Sequence, residues 1–223
     1  MLDYSRLSFN KTIRTSVEAS VIIQSKYPLI PLGEICDVRI GGTPSRSNPA
    51  YFEGDNLWVS IAEMNGQIIT DTKEKITDDA VAHSNVKLIP KGKTLLSFKL
   101  SIGKVAITGA ELYTNEAIAA LIPYDETQIT DRYLFHLFNS KLIDLENVGS
   151  KAFGKSLNST YLKNDVKIPV PPIDIQDKIV IECGKIDEEY NQTRMSIEEY
   201  RKRIEKLFSD LEIITSEGGG GSS

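Results

Sequence analysis

Residues 179–214 read IVIECGKIDEEYNQTRMSIEEYRKRIEKLFSDLEII, a stretch without proline whose only glycine is Gly184. Alternate steps of four and three land on Ile179, Cys183, Ile186, Tyr190, Thr193, Ile197, Tyr200, Ile204, Leu207, Leu211 and Ile214. Only Thr193 among these is distinctly polar, and Glu, Lys, Arg and Asp fill most of the positions between. A 3-4 repeat held this long predicts a helix that supercoils with a partner. At 1.5 Å per residue the stretch would reach about 54 Å, whereas a domain of about 150 residues has a radius of gyration near 15 Å. The pattern therefore predicts one helix over 172–215, N-capped by Asp174, that projects from its domain and offers its apolar stripe as a coiled-coil seam.

Upstream, Pro171-Pro172 closes a segment of different character. YPLIPLGEICDVRIGGTPS, residues 27–45, breaks any helix at Pro28 and Pro31 and makes turn chemistry at Gly41-Gly42-Thr43-Pro44. Short strands are expected at LWVSIAEM (57–64), KTLLSF (93–98), GKVAIT (103–108) and AIAALIP (117–123). Short helices are expected from Asp78, capped by Thr77, and from Asp131, capped by Thr130. The second would bury Tyr133, Leu134, Leu137, Phe138 and Leu142 on one face. The fold class is α+β: a globular domain of short strands and helices over 28–171, followed by a long helix. Residues 1–27 read as an N-terminal extension, and the SEGGGGSS run at 216–223 as a flexible linker or tail.

The chain has 223 residues and a net charge of −5, but the charge is unevenly placed. Residues 84–110 hold Lys87, Lys91, Lys93, Lys99 and Lys104 with no acidic residue. Residues 148–168 hold Lys151, Lys155, Lys163 and Lys167 against Asp165 alone, while the long helix carries much of the acid. A basic face suits a phosphate backbone; a solvated lysine surface has the same composition. No apolar run reaches a membrane span, and the opening residues lack a secretory leader pattern. Two cysteines far apart, Cys36 and Cys183, fit a reduced, cytoplasmic setting.

Little here looks like catalysis. His83 and His136 sit in no metal-ligand spacing, and no phosphate loop, dinucleotide fingerprint or nucleophile elbow is present. NPAY at 48–51 resembles the base-holding NPPY loop of amino-methyltransferases, but departs at Ala50 and follows no glycine-rich loop. A turn leading into a strand is the plainer reading. Asp55 with Asp71-Thr72-Lys73 falls in a turn-rich stretch and is weak as a Mg²⁺ pattern. Tyr51, Phe52 and Trp58 have the shape to stack on bases but suit a core, and Asn115 suits a turn. The chain is expected to need no cofactor or metal and to be no enzyme by itself.

The order IPLGEICDVRIGGTPSRSNPAYFEGDNLWVSIAEMN, LIPKGKTLLSFKLSIGKVAIT, TNEAIAAL, YLFHLF and KIPVPPIDIQDKI before a long helix resembles the specificity subunit of type I restriction-modification systems. That resemblance covers about Pro28 to Leu211. It implies a target-recognition domain that reads one half of a split DNA site, with the helix as spacer. The family normally has two such domains and two antiparallel helices, whereas this chain has one of each, so it resembles a half-subunit. A second copy would complete it as a two-fold homodimer reading an inverted repeat. The resemblance also implies a separate DNA adenine methyltransferase subunit that binds S-adenosylmethionine, and a separate ATP- and Mg²⁺-dependent restriction subunit. Two alternatives stay open: the recognition part of a fused restriction-methyltransferase enzyme, to whose junctions residues 1–27 are similar, and a coiled-coil adaptor or decoy that holds modification subunits without touching DNA.

Under the DNA reading, phosphate contacts are expected from Lys87, Lys91, Lys99, Lys104, Lys151 and Lys155, and base contacts from Arg46, Ser97, Ser101 and Ser156. Arg46 has the planar fork that pairs bidentately with guanine.

Overall fold

A computed structural model describes residues 24–143, 145, 158–193 and 195–214. Its centre is a five-stranded sheet in the order β2-β9-β6-β7-β4, formed by β2 (Cys36–Ile40), β4 (Ile68–Ile69), β6 (Thr94–Ser97), β7 (Val105–Thr108) and β9 (Ile118–Pro123). Strand β9 lies between β2 and β6, antiparallel to both, with Ala119 opposite both Ile40 and Leu96. Successive side chains on a strand point to opposite faces, and here both faces are covered. Leu96, Ala119 and Leu121 join the main core, while Leu95, Ile118 and Ala120 join a second cluster with Val59, Met64 and Ile89. Burial on both sides is why the segment at 117–123 is apolar almost throughout.

A three-stranded sheet, β5-β3-β8, is built from β3 (Asn56–Val59), β5 (Glu74–Ile76) and β8 (Tyr113–Thr114). It packs Trp58 against Ile76 and Ala80, the latter on α2 (Asp78–Ala82). Thr77 caps α2 as expected, its hydroxyl accepting from the N–H of Ala80 at 3.1 Å. Helix α3 (Asp131–Asn139) is capped by Thr130 in the same way and buries Tyr133, Leu134, Leu137 and Phe138 in the main core. A two-stranded ribbon, β1 (Leu29–Pro31) with β10 (Lys167–Pro169), closes the domain beside α1 (Leu32–Ile35) and α4 (Ser159–Asn164).

The C-terminal region departs from the single projecting helix. Helix α5 (Ile173–Thr193) is long, but it ends at Thr193, and a second helix, α6 (Ile197–Asp210), packs back along it. Ser196 starts α6, its hydroxyl accepting from the N–H of Glu199 at 3.2 Å. Asp174 lies in the first turn of α5 and is not its cap, since the helix begins at Ile173. The partner that the stripe required is thus found within the chain. Ile179 and Cys183 of α5 are buried with Ile204 and Phe208 of α6 in the main core, and Ile186, Tyr200, Leu207 and Leu211 pack against it. The Tyr190 and Tyr200 rings meet at a tilt of 57° with centroids 5.1 Å apart, Tyr200 donates to Asp187 at 2.7 Å, and Arg203 pairs with Glu189. Of the predicted stripe, Thr193 and Ile197 stay exposed, Ile197 at 46 %.

The end of α6 explains two residues that the 3-4 count passed over. Glu212 takes a left-handed conformation, the N–H of Ile213 returns to the carbonyl of Phe208 at 2.9 Å, and the N–H of Glu212 to that of Ser209 at 2.9 Å. This paired closure carries an apolar contact between its ends, and Phe208 and Ile213 are both fully buried. Lys26 then binds Glu212 through backbone and side chain, and Tyr27 packs on the main core. Residues 24–27 are therefore tied to the C-terminal hairpin, although the sequence places them in a separate extension.

Candidate nucleic-acid interface

The register of the large sheet brings three loops to one end. Ser97 at the end of β6 faces Ile118 at the start of β9, and Ala119 faces Ile40 at the end of β2. The β6–β7 hairpin tip (98–104), the loop after β2 (41–47) and the turn before β9 (115–117) therefore lie together. Thr43 hydrogen-bonds Glu116 across two of these loops, and Phe98 N–H donates to the carbonyl of Ala117 at 3.0 Å. Gly41 and Gly42 permit the close approach: a Cβ on Gly41 would collide with the carbonyls of Thr114 and Asn115.

Arg46 stands over this end. Its guanidinium sits 4.0 Å from the Phe52 ring centroid and 5.1 Å from that of Trp58. Both terminal nitrogens reach the two carboxylate oxygens of Glu74. Hydrogen bonding from Arg46 holds Glu74 below the usual carboxylate range, and Thr43, with Lys99 and Arg46 adding to it, does the same for Glu116. The fork predicted to pair with guanine is present and aligned, resting on a carboxylate. Trp58 is core, its indole N–H donating to the carbonyl of Gly42 at 3.0 Å, and Asn115 ties its turn through Ala117 N–H at 3.1 Å.

The hairpin tip carries Lys99, Ser101 and Lys104. Lys99 and Ser101 are exposed, the Lys99 ammonium lies 5.4 Å from the Phe98 ring centroid, and Lys104 reaches toward the carbonyl of Ile61 at 3.5 Å. Ser97 is corrected. It is fully buried, accepts from the N–H of Lys104 at 2.9 Å and donates to the carbonyl of Ser101. It closes the hairpin from inside and has no access to a base edge. Lys91 is exposed but does not join this rim. It precedes β6 in a turn whose Gly92 N–H binds Thr108 at 2.7 Å, at the opposite end of the sheet. The length of β6, Thr94–Ser97, separates that turn from the hairpin tip. Its neighbour Lys93 is held by Asp131 and Glu126. Lys87 is exposed along the β2 edge, between Asn85, which abuts Gly42, and Leu88, whose carbonyl accepts from Arg39 at 2.7 Å. Lys151, Lys155 and Ser156 lie outside the described residues.

Arg46, Lys99, Ser101 and Lys104 thus form a basic rim on rigid loops, with Lys87 on its flank. Among the described residues there is no cluster of His, Cys, Asp and Glu able to hold a metal ion. No described helix is long and apolar enough to cross a membrane.

A family profile described as "Type I restriction modification DNA specificity domain" matches residues 25–198. The chain belongs to that family. It is 31 % identical over 163 residues to the specificity subunit of the type I restriction enzyme EcoR124I/EcoR124II of Escherichia coli, covering 70 % of this chain and 40 % of the relative. It is 29 % identical over 193 residues to the MjaIX specificity subunit of Methanocaldococcus jannaschii, covering 84 % and 44 %. The chain spans about half the length of these relatives. Two solved structures share its fold. One, from a study of complex assembly and conformational transition of the type I restriction-modification system, gives a TM-score of 0.59 at 21 % identity, covering 93 % of this chain and 51 % of that one. The HsdS subunit from Thermoanaerobacter tengcongensis gives 0.58 at 17 %, covering 93 % and 53 %.

Proposed function

We propose that this chain is a non-catalytic DNA-reading unit of a restriction-modification complex, gripping duplex DNA with the Arg46–Lys99–Lys104 end of its large sheet. The observation that carries the reading is the gathering of these cations on hydrogen-bonded loops at one sheet end, in a chain of the specificity family. Lysines there position phosphates, and Arg46 and Ser101 read base edges. Catalysis belongs to partners: a methyltransferase subunit supplying S-adenosylmethionine chemistry and a restriction subunit using ATP and Mg²⁺. The setting is the cytoplasm, where those partners and the DNA are. The family match runs through the recognition domain as well as the helix, which favours this reading over a coiled-coil adaptor.

The same proposal makes the chain one half of a two-headed reader. The stripe keeps its 3-4 register through Tyr190, Thr193, Ile197 and Tyr200 despite the break. Opening the hairpin at 193–197 would give one continuous helix able to exchange α6 with a second copy, producing a homodimer and an inverted-repeat site.

The test is retention of duplex DNA from a randomised pool across a salt series, alongside sedimentation equilibrium. Replacing Lys99 and Lys104 with Ala should weaken binding to every duplex and reduce the salt slope by about two, whereas Arg46→Ala should relax the preference at one base pair. An unchanged slope would remove this face from the proposal. A mass that stays monomeric at every concentration would remove the homodimer.

A further inference from the structure

The β6–β7 hairpin presents its most exposed apolar side chain by construction. Leu100 at the tip is 86 % exposed, the highest value among the large apolar residues described as exposed. Its φ is +58°, a left-handed conformation that a leucine adopts at a cost and a glycine adopts freely. The tip is not slack. Ser97 N–H donates to Lys104 at 2.9 Å, Gly103 N–H to Ser97 at 2.8 Å, and Ile102 N–H to Leu100 at 2.9 Å, with Lys141 binding the Gly103 carbonyl. Ile102, two residues on, packs on the main core. A rigid loop therefore holds one leucine outward while its neighbour Ile102 anchors inward. Strain retained at an exposed position points to a role for that position.

The flanking chemistry names the occupant. Lys99 precedes Leu100, Lys104 closes the hairpin, and Arg46 lies at the same sheet end, close enough to share with Lys99 an electrostatic effect on Glu116. An apolar point ringed by cations suits the stacked bases and flanking phosphates of a duplex better than an apolar protein groove. We infer that Leu100 is a wedge that enters the DNA between two adjacent base pairs and unstacks them, while Lys99 and Lys104 hold the flanking phosphates. This rests on the DNA-reading function proposed above. Wedges of this kind kink the duplex by about 20–90°, and pyrimidine–purine steps yield most easily, so the wedge confers sequence preference at a step without hydrogen bonds to it.

The experiment uses the full chain and duplexes enriched by the wild-type protein from a randomised pool, with 2-aminopurine placed at each position in turn. The wild type is expected to raise fluorescence at one step, and Leu100→Met to retain that rise. Leu100→Ala and Leu100→Gly should abolish it and weaken binding roughly ten- to thirtyfold. Leu100→Gly relieves the backbone strain, so its melting temperature should equal or exceed that of the wild type, which separates loss of the wedge from loss of the fold. Leu100→Ala matching the wild type in affinity and fluorescence profile would overturn the wedge and assign the tip to a protein contact. Failure of the wild type to enrich any duplex would overturn the DNA-reading function itself.

Discussion

The side-chain oxygen of Gln176 accepts hydrogen bonds from both the backbone N–H of Thr130, at 2.9 Å, and its hydroxyl, at 3.3 Å. The amide nitrogen of Gln176 donates to the carbonyls of Gln128 and Pro171 at 2.8 and 2.9 Å. The residue is fully buried. One side chain thus joins the start of α5 to the start of α3, and it holds the same Thr130 hydroxyl that caps α3. That accounts for the glutamine that follows the double proline at the mouth of the helix.

Replacing Gln176 with Leu leaves the Thr130 N–H and two carbonyls buried without this partner. An orphaned buried polar group costs about 1–3 kcal/mol. The expected outcome is a fall in melting temperature of roughly 2–12 °C, measured by circular dichroism. A shift under a degree would mean that water replaces the amide and that the junction is less closed than it stands here.

The hairpin changes what a charge in the stripe should do. Ile204 is buried in the main core, so Ile204→Asp places a carboxylate there without a partner, at a cost of about 3–5 kcal/mol. The monomer itself should lose stability, seen as an earlier denaturation midpoint. Ile197 is largely exposed, so Ile197→Asp should leave the monomer's midpoint within about 0.5 kcal/mol of wild type and act only on the proposed dimer, read as a lower mass in sedimentation. Equal destabilisation by both substitutions would contradict the packing of α6 described here.

Much of the fold is legible because local chemistry and tertiary packing agree. Thr77 and Thr130 cap the helices they precede, and the apolar run at 117–123 is an interior strand of the large sheet. The break at 193–197 is not legible from spacing, because Tyr190, Thr193, Ile197 and Tyr200 keep heptad register across it. A seam against another chain and a seam against the same chain write the same pattern. Phe208 and Ile213 fall outside the 3-4 count because a closed helix end, rather than a supercoil, buries them. At the site, the basic residues of 84–110 are visible as a cluster, yet strand direction sends Lys91 and Lys99 to opposite ends of the sheet. Ser97 looks like a loop serine only until the hairpin is closed around it.

Burial pushes the thiols of Cys36 and Cys183 up to about 12, against about 8.5 in an unfolded chain. At pH 8 neither should be alkylated in the native protein, and both should react in denaturant. Cys183 lies on α5 in the core region shared with α6, whereas Cys36 belongs to the large sheet. In Ile204→Asp, partial alkylation mapped by mass spectrometry should therefore mark Cys183 well before Cys36. Simultaneous labelling would mean that hairpin and sheet unfold as one unit.

Arg46 and Glu74 set the last prediction. Their side chains are 54 % and 39 % exposed, so the pair adds little to stability. What it does is occupy the Arg46 fork. A duplex must compete with Glu74 for that fork, so Glu74→Gln should bind more tightly to duplexes carrying the base that Arg46 reads. The gain should depend on Arg46: in an Arg46→Ala background, the same Gln substitution should give only the small general benefit of one less negative charge. Acid acts in the same direction. The Glu74 carboxyl is held below its ordinary value by Arg46, so the pair persists as pH falls through the usual carboxylate range and breaks only below it. Retention by the wild type should rise toward that of Glu74→Gln only at that lower pH. Affinities of Glu74→Gln and wild type that coincide in both backgrounds would place Arg46 outside the DNA contact.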